Sequence, residues 1–305
     1  MKKLLILGGS GFIGSSIVDY GINKKLIKKK INKIYILSRS AKFKQNIKKH
    51  ISIIYINQNM LDVNKLPQVD YIIYCLKNSN IQTSNRYFNK FIELLKNFKK
   101  KPKLLFTSSG AVYGKNTNKK KDKESKKIDN DSINNLFGYK SKYAKEKVFI
   151  ENRFKELGRK NYKVSIARCY TFIGKNILHY NYAISDLINA ANNKRKIKLN
   201  TQIDVYRSYM HSDDLSNWLI TILKRSNSKC PIYNVGSDKT INLQKLAKKI
   251  GNIVNKKILI KTNKDNKFDF YIPSIAKAYK DLNLKVSINL NDALNSIIKK
   301  WYDKN

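Results

Sequence analysis

The stretch that most restricts the fold of this chain lies at its start, where Lys3-Leu4-Leu5-Ile6-Leu7 runs into Gly8-Gly9-Ser10-Gly11-Phe12-Ile13-Gly14 and then Ser15-Ser16-Ile17-Val18. A short apolar run followed by glycines predicts a buried strand, a tight turn and a helix start. Gly8, Gly11 and Gly14 then have separate tasks: turning the chain, letting the backbone approach a pyrophosphate, and packing helix closely on strand. The free N–H groups of the new helix and its dipole face the phosphates, and Phe12, Ile13 and Gly14 are read as lying along the coenzyme. A dinucleotide is the ligand this turn predicts.

Apolar runs and helical periodicity alternate beyond it. The pattern predicts a helix over 15–30, strands over 33–37, 51–56 and 69–76, and a helix over 81–100 stopped by Pro102. A fifth strand follows over 103–107, then a helix over 140–157 capped by Gly158, and a sixth strand over 163–167. Such alternation gives an α/β fold with a doubly wound parallel sheet. Further on, helices are expected over 181–193, 213–223, 243–253 and 290–302, with extended chain over 205–211. The residues past the second strand of a dinucleotide fold meet the adenosine ribose, where an arginine accommodates a 2′-phosphate. Ser38-Arg39-Ser40 stands there. Arg39 favours NADP over NAD, the alternative being a solvated arginine on an already basic surface.

Lys and Arg number 63 against 21 Asp and Glu, a formal net charge of +42. Concentrated in a patch, such charge would bind nucleic acid through counterion release. The lysines are instead spread over the whole length beside abundant Asn and Ile, as a compositional bias would place them. No nucleic-acid partner is expected, although a nucleic-acid-binding member of the same fold is the alternative this charge keeps open. The densest run, 115–127, lacks apolar periodicity and predicts a solvated loop. With no run of about 18 apolar residues, no membrane span is expected, and a cytoplasmic protein is. Cys75, Cys169 and Cys230 share no ligand or disulfide spacing, so packing thiols and no metal are expected.

Tyr143 and Lys147 stand four apart in Tyr143-Ala144-Lys145-Glu146-Lys147, on one face of the predicted helix. A free tyrosine has a pKa of ~10, and a depression of about three units, roughly 4 kcal/mol, would make it a usable base near neutrality. A cation at ~4 Å supplies about 4 kcal/mol at an effective dielectric of ~20. One lysine therefore has the right size of effect. Ser109 adds a hydroxyl at the end of the fifth strand, where such sheets present reacting groups.

These residues belong to longer motifs: Phe106-Thr107-Ser108-Ser109-Gly110-Ala111-Val112-Tyr113-Gly114, Tyr143 to Lys147 with Glu151 four beyond, Arg168 to Gly174, Tyr206 to Leu215 and Tyr233 to Asp238. With the glycine turn, and in this order, they resemble the extended short-chain dehydrogenase/reductase family, in its nucleotide-sugar epimerase/dehydratase branch. The resemblance implies a Rossmann-type domain over 1–174, completed by about 205–223, and a smaller, mainly substrate-binding domain over 175–305. It implies NADP- or NAD-dependent change at C4 of a nucleotide-linked hexose, by reduction of a 4-keto sugar or by epimerisation, with 4,6-dehydration as the alternative. Ser109 would hold the reacting oxygen, Tyr143 would be the acid/base, and Lys147 would bind the nicotinamide ribose. Asn59, Met60 and Leu76 would lie along the coenzyme, with Asn59 in place of an acidic contact to adenine. Thr171 and Tyr113 would face the sugar, Tyr113 being equally readable as a core aromatic, and Arg207 would meet the diphosphate.

The chain departs from the family pattern at several points. Glu146 stands where serine is usual, Thr171 where asparagine is common, and Lys175 where proline is usual. Gly110-Ala111 replace the Asp-Glu pair by which dehydratases of the branch eliminate water. Tyr139, one turn before Tyr143, is read as packing or facing substrate. Arg168 reads as a sheet-anchoring ion pair or a binding residue. His179 and His211 read as surface or lining residues, and His50 as solvated. A homodimer through 81–100 and 140–157 is expected from the resemblance and from the aromatic faces of those helices.

Overall fold

The computed structural model describes residues 2–23, 31–38, 52–78, 80–179, 182–192, 197–201, 203–256, 258–262 and 267–302. Strand β1 (Lys2–Leu7) leads through the glycine turn into α1 (Phe12–Asn23), and β2 (Ile31–Ser38), β3 (Ile53–Asn57) and β4 (Tyr71–Tyr74) follow. Next come α2 (Ile81–Lys96), β5 (Lys103–Ser109), a 3₁₀ turn (Gly110–Tyr113), α3 (Asn130–Asn134), α4 (Tyr139–Arg159) and β6 (Val164–Cys169). Much later in the chain, β11 (Ile232–Val235) pairs with β6, giving a seven-stranded sheet in the order β11-β6-β5-β4-β1-β2-β3. Every pairing in it is parallel. Strand order therefore reverses beside β1, between β2 and β4, which opens a crevice at the strand ends.

Both faces of this sheet are covered, which is why β1 reads as a continuous apolar run rather than an alternating one. Leu4 and Ile6 point to the core under α1 and α6 (Ser212–Lys224), where Ile17, Leu219 and the fully buried Trp218 lie. Leu5 and Leu7 point to the core under α2 and α4. There Phe106 and Phe154 stack at 5.0 Å, and Tyr74 meets the Phe154 ring edge-on at 5.5 Å. The aromatic faces of the 81–100 and 140–157 helices, which had suggested a dimer surface, are spent in this core: Phe88, Phe91 and Phe154 are buried.

Several boundaries differ from expectation for local reasons. α2 ends at Lys96 because Asn97 caps it, its N–H donating to the carbonyls of Leu94 and Leu95. α4 runs through Gly158 instead of stopping there; a Cβ at 158 would lie 2.7 Å from the Ser228 carbonyl oxygen, so the glycine is a packing requirement. Asn161 takes the left-handed turn instead, at φ 64°. α1 begins at Phe12, and Arg39 and His50 lie outside the described residues. The lysine-rich 115–127 stretch is largely exposed but anchored. Buried Asp122 forms a bridge with Pro273, and its carboxylate accepts from Lys126 (2.9 Å) and Tyr170 (3.3 Å).

After β6 the chain forms β7 (Phe172–Ile173), α5 (Ala183–Asn192), β8 (Ile197–Thr201), β9 (Asp204–Arg207) and β10 (Met210–His211). It then enters α6, whose N-terminus His211 caps by accepting the Asp213 N–H at 3.1 Å. The return to the main sheet expected over 205–223 is made by α6 and extends to β11; β9 belongs elsewhere. β12 (Ile241–Asn242), β9 and β14 (Phe268–Tyr271) make a three-stranded sheet. α7 (Leu243–Ile253), β13 (Ile258–Thr262), α8 (Ala276–Leu282) and α9 (Leu290–Tyr302) complete the described chain. Among the described residues no helix is long and apolar enough to cross a membrane.

Candidate active site

At the crevice the three glycines do separate work. Gly8 has φ +82°, and a Cβ there would lie 3.0 Å from the Cys75 carbonyl, so the β1 turn passes close under the end of β4. A Cβ at Gly14 would lie 2.4 Å from the Gly9 Cα, which fixes helix against turn. At Gly11 it would meet only the Gly8 oxygen at 3.6 Å; this glycine faces open space. Gly8, Gly11, Phe12, Ile13 and Gly14 line a cleft of about 480 Å³, with the first-turn N–H groups of α1 at its edge. An open backbone cradle at a helix N-terminus fits a dinucleotide's pyrophosphate. The Ser38 hydroxyl donates to that of Ser10, tying the end of β2 to the same turn.

Asn59 and Met60 are placed differently from expectation. The Asn59 carboxamide oxygen accepts the Leu61 N–H at 3.1 Å, closing its own turn, and Met60 is buried in the core. Neither lines the cleft. Leu76 contributes through its carbonyl, which accepts from the Lys147 ammonium at 3.2 Å.

Opposite the glycine turn, the end of β5 presents Ser109 and one face of α4 presents Tyr143 and Lys147, all lining the cleft. The Ser109 oxygen accepts the Ala111 N–H at 3.2 Å and lies 3.1 Å from the Tyr271 hydroxyl. Lys147 is buried, with its ammonium 5.1 Å from the centre of the Phe106 ring and 5.5 Å from that of Tyr143. Beneath them Glu151, fully buried, receives two hydrogen bonds from Arg168 (2.9 and 2.7 Å) and one from Ser108 (2.6 Å). Bidentate pairing of this kind ties α4 to β5 and β6 and so fixes the height of Tyr143 over Ser109. Arg168 is the sheet anchor.

The expected acidification of Tyr143 is absent. Burial raises its pKa well above the ordinary tyrosine value; the Ser109 hydroxyl bonded to it pulls the other way, and the Glu146 charge pushes it further up. The Lys147 ammonium is already engaged by the Leu76 carbonyl and by Glu146 at 3.5 Å.

The cleft continues into a second lobe of about 290 Å³, lined by Ser109, Ala111, Tyr139, Tyr143, Thr171, Arg207, Asp269 and Tyr271 among others. Thr171 lines both lobes, with its hydroxyl donating to the Ser208 carbonyl. Tyr139 is largely exposed at the mouth, a cleft-facing rather than a packing residue. Tyr113 is a core aromatic: it is fully buried, its hydroxyl donates to Asn234 at 2.9 Å, and the Arg168 guanidinium lies 4.7 Å over its ring. Arg207 is in the cleft but occupied, donating to the Asp269 carboxylate at 2.7 Å and backbone oxygen at 3.0 Å. Burial alone would raise the Asp269 carboxyl, but Arg207 and Lys140 outweigh it and hold it below the usual range.

Tyr271 and Asp269 escaped the sequence reading. Their signal is the alternation in Phe268-Asp269-Phe270-Tyr271, which puts 269 and 271 on one strand face. Parallel pairing with β9 then sets Tyr271 beside Arg207.

A parallel sheet with a glycine turn at its order reversal, facing a Ser-Tyr-Lys cluster, defines a dinucleotide-binding protein of the extended short-chain dehydrogenase/reductase class. More particularly, the chain belongs to the NAD dependent epimerase/dehydratase family, whose model matches residues 4–236. It is 26% identical over 281 residues to a dTDP-D-glucose 4,6-dehydratase of Dictyostelium discoideum, a match covering 83% of this chain and 62% of that protein. In fold it is similar to dTDP-glucose 4,6-dehydratase from Bacillus anthracis in complex with NAD, at TM-score 0.78 and 18% identity over 100% of this chain and 97% of the other. It is equally similar to UDP-N-acetylglucosamine 4-epimerase from Methanobrevibacter ruminantium M1 in complex with UDP-N-acetylmuramic acid, at TM-score 0.78 and 20% identity over 100% and 99% of the two chains.

Proposed function

We propose that the protein catalyses hydride transfer at C4 of a nucleotide-linked hexose, as a 4-keto reductase or a 4-epimerase, and not dehydration. The observation that carries this reading is at residue 110. A Cβ at Gly110 would lie 2.4 Å from the Tyr170 ring, so the site has no room for the acid that dehydratases carry there. Ala111 next to it brings no carboxylate. Among the described residues lining the cleft the carboxylate is Asp269, which is held by Arg207 and Lys140. Elimination of water needs an acid and a base beyond the tyrosine; hydride transfer at C4 needs the tyrosine alone.

A nicotinamide coenzyme bound along the glycine turn supplies or takes up the hydride. Tyr143 exchanges a proton with the C4 oxygen, and Ser109, fixed by Ala111 and Tyr271, holds that oxygen. Lys147 orients the coenzyme's ribose. Arg207 meets the diphosphate after giving up Asp269 for it. Arg39 favours NADP(H), because no carboxylate follows β2 to bind a bare ribose. The test is turnover of UDP- and dTDP-linked hexoses and their 4-keto derivatives with either coenzyme. Production of a 4-keto-6-deoxy sugar from the parent hexose would refute the exclusion of dehydration. Nucleic-acid binding that persists at physiological salt, with no sugar nucleotide turned over, would refute the enzyme reading altogether.

A further inference from the structure

Glu146, where serine was expected, is 2% exposed and sits between Tyr143 and Lys147 on α4. One carboxylate oxygen accepts from Ser84 at 2.7 Å, and the Asn78 amide donates in turn to Ser84 at 3.1 Å. The other oxygen has no hydrogen-bond partner and lies 3.5 Å from the Lys147 ammonium. A buried carboxylate held on one side and left open toward an ammonium is placed as its counter-ion. We propose that Glu146 is a positioning residue that neutralises Lys147, keeps Tyr143 a proton donor, and so directs the site to the reduction of a keto sugar. The direction of reaction rests on the function proposed above.

Opposite charges 3.5 Å apart act on a neighbouring phenol as a dipole, so the attraction of Lys147 for a phenolate is largely cancelled. The other groups around Tyr143 do not restore it. Lys77, from the loop after β4, lies 5.4 Å from the ring centre but is exposed and screened by water. Tyr271 from β14, Tyr182 ahead of α5 and Cys169 from β6 have their protons held more tightly by burial, and Tyr139 adds another phenol. Arg207 is committed to Asp269, and Tyr74, facing Glu146 from β4, also keeps its proton through burial. In the step itself a hydride joins the carbonyl carbon while the Tyr143 proton joins the oxygen, whose π pair becomes the O–H bond. Oxidation of the reduced nicotinamide coenzyme balances the electrons, and the tyrosinate regains a proton from solvent.

The test needs neither substrate nor coenzyme. Tyrosine labelled with ¹³C at the ζ carbon is titrated by NMR in the wild type, Glu146→Gln and Glu146→Asp, with Tyr143→Phe assigning the signal. Glu146→Gln keeps the shape and the Ser84 bond while removing the charge, so Tyr143 should titrate lower by on the order of one pH unit or more. Glu146→Asp should stay near the wild type. In keto-sugar reduction the alkaline limb of kcat/KM should move down with it. A Tyr143 signal in Glu146→Gln that titrates with the wild type, or stays a phenol wherever the protein is folded, overturns the proposal. If Glu146→Gln does not fold, Glu146→Ser decides by the same criterion. Absence of turnover with every sugar nucleotide would remove the reaction but leave the Tyr143 titration to be judged alone.

Discussion

The two lobes of the cleft are built on different plans. The lobe at the glycine turn takes its floor from backbone: Gly8, Gly11 and Gly14 and the N-terminus of α1, all from the first β-α unit. The lobe beyond Ser109 is made of side chains that satisfy one another across distant segments, Arg207 with Asp269, Ser109 with Tyr271, and Thr171 with Ser208. A backbone cradle presents donors whatever is bound, whereas a paired guanidinium must exchange partners before it binds an anion. On the proposed function, the first lobe is preformed for the coenzyme's phosphates, and the second must release Arg207 from Asp269 before it takes the diphosphate.

The largest expected effect strikes the anchor common to both lobes. Glu151→Gln leaves Arg168 buried with its partner charge gone and should destabilise the fold by about 3–5 kcal/mol, read by urea unfolding. In the backbone lobe, Gly14→Ala drives a methyl into the Gly9 backbone and should cost about 1–3 kcal/mol while abolishing coenzyme binding, read by calorimetry. Equal coenzyme affinity in that variant would mean that the turn is not the cradle. In the side-chain lobe, Asp269→Asn should release Arg207 and lower KM for the sugar nucleotide by up to about tenfold, with kcat little changed. A raised KM would mean that Asp269 presents Arg207 instead of competing for it. A smaller effect follows with pH. Because the folded Asp269 carboxyl lies below its ordinary value, its stabilisation is present above the unfolded pKa of ~3.9 and is lost as pH falls through the folded value. The wild type and Asp269→Asn should therefore converge in thermal stability toward the acid end.

The same contrast separates what could be read in the sequence from what could not. The cradle was legible because each glycine answers to a local condition, a positive φ at 8 or a contact at 14. Ser109, Tyr143 and Lys147 were legible as a strand end and a helix face. Tyr271 and Asp269 were not, since their role appears only once β14 pairs in parallel with β9 across more than sixty residues of sequence. Met60 was not legible as a core residue, and Tyr113 stayed open between sugar and core, for a related reason: an apolar or aromatic side chain beside a motif reads alike whether it faces a ligand or the core. The state of Tyr143 was not legible either, because burial and the Glu146 charge beside Lys147 both raise its pKa, and helical spacing alone weighs neither.

The central claim is that the Tyr143 hydroxyl carries the proton to and from the sugar. Steady-state kinetics of Tyr143→Phe, with coenzyme affinity measured in parallel, tests it most directly. The account predicts a loss of kcat of about 10²-fold or more with coenzyme binding intact. Normal turnover by Tyr143→Phe, with loss in Tyr139→Phe instead, would contradict it and move the reacting group one helical turn toward the mouth of the cleft.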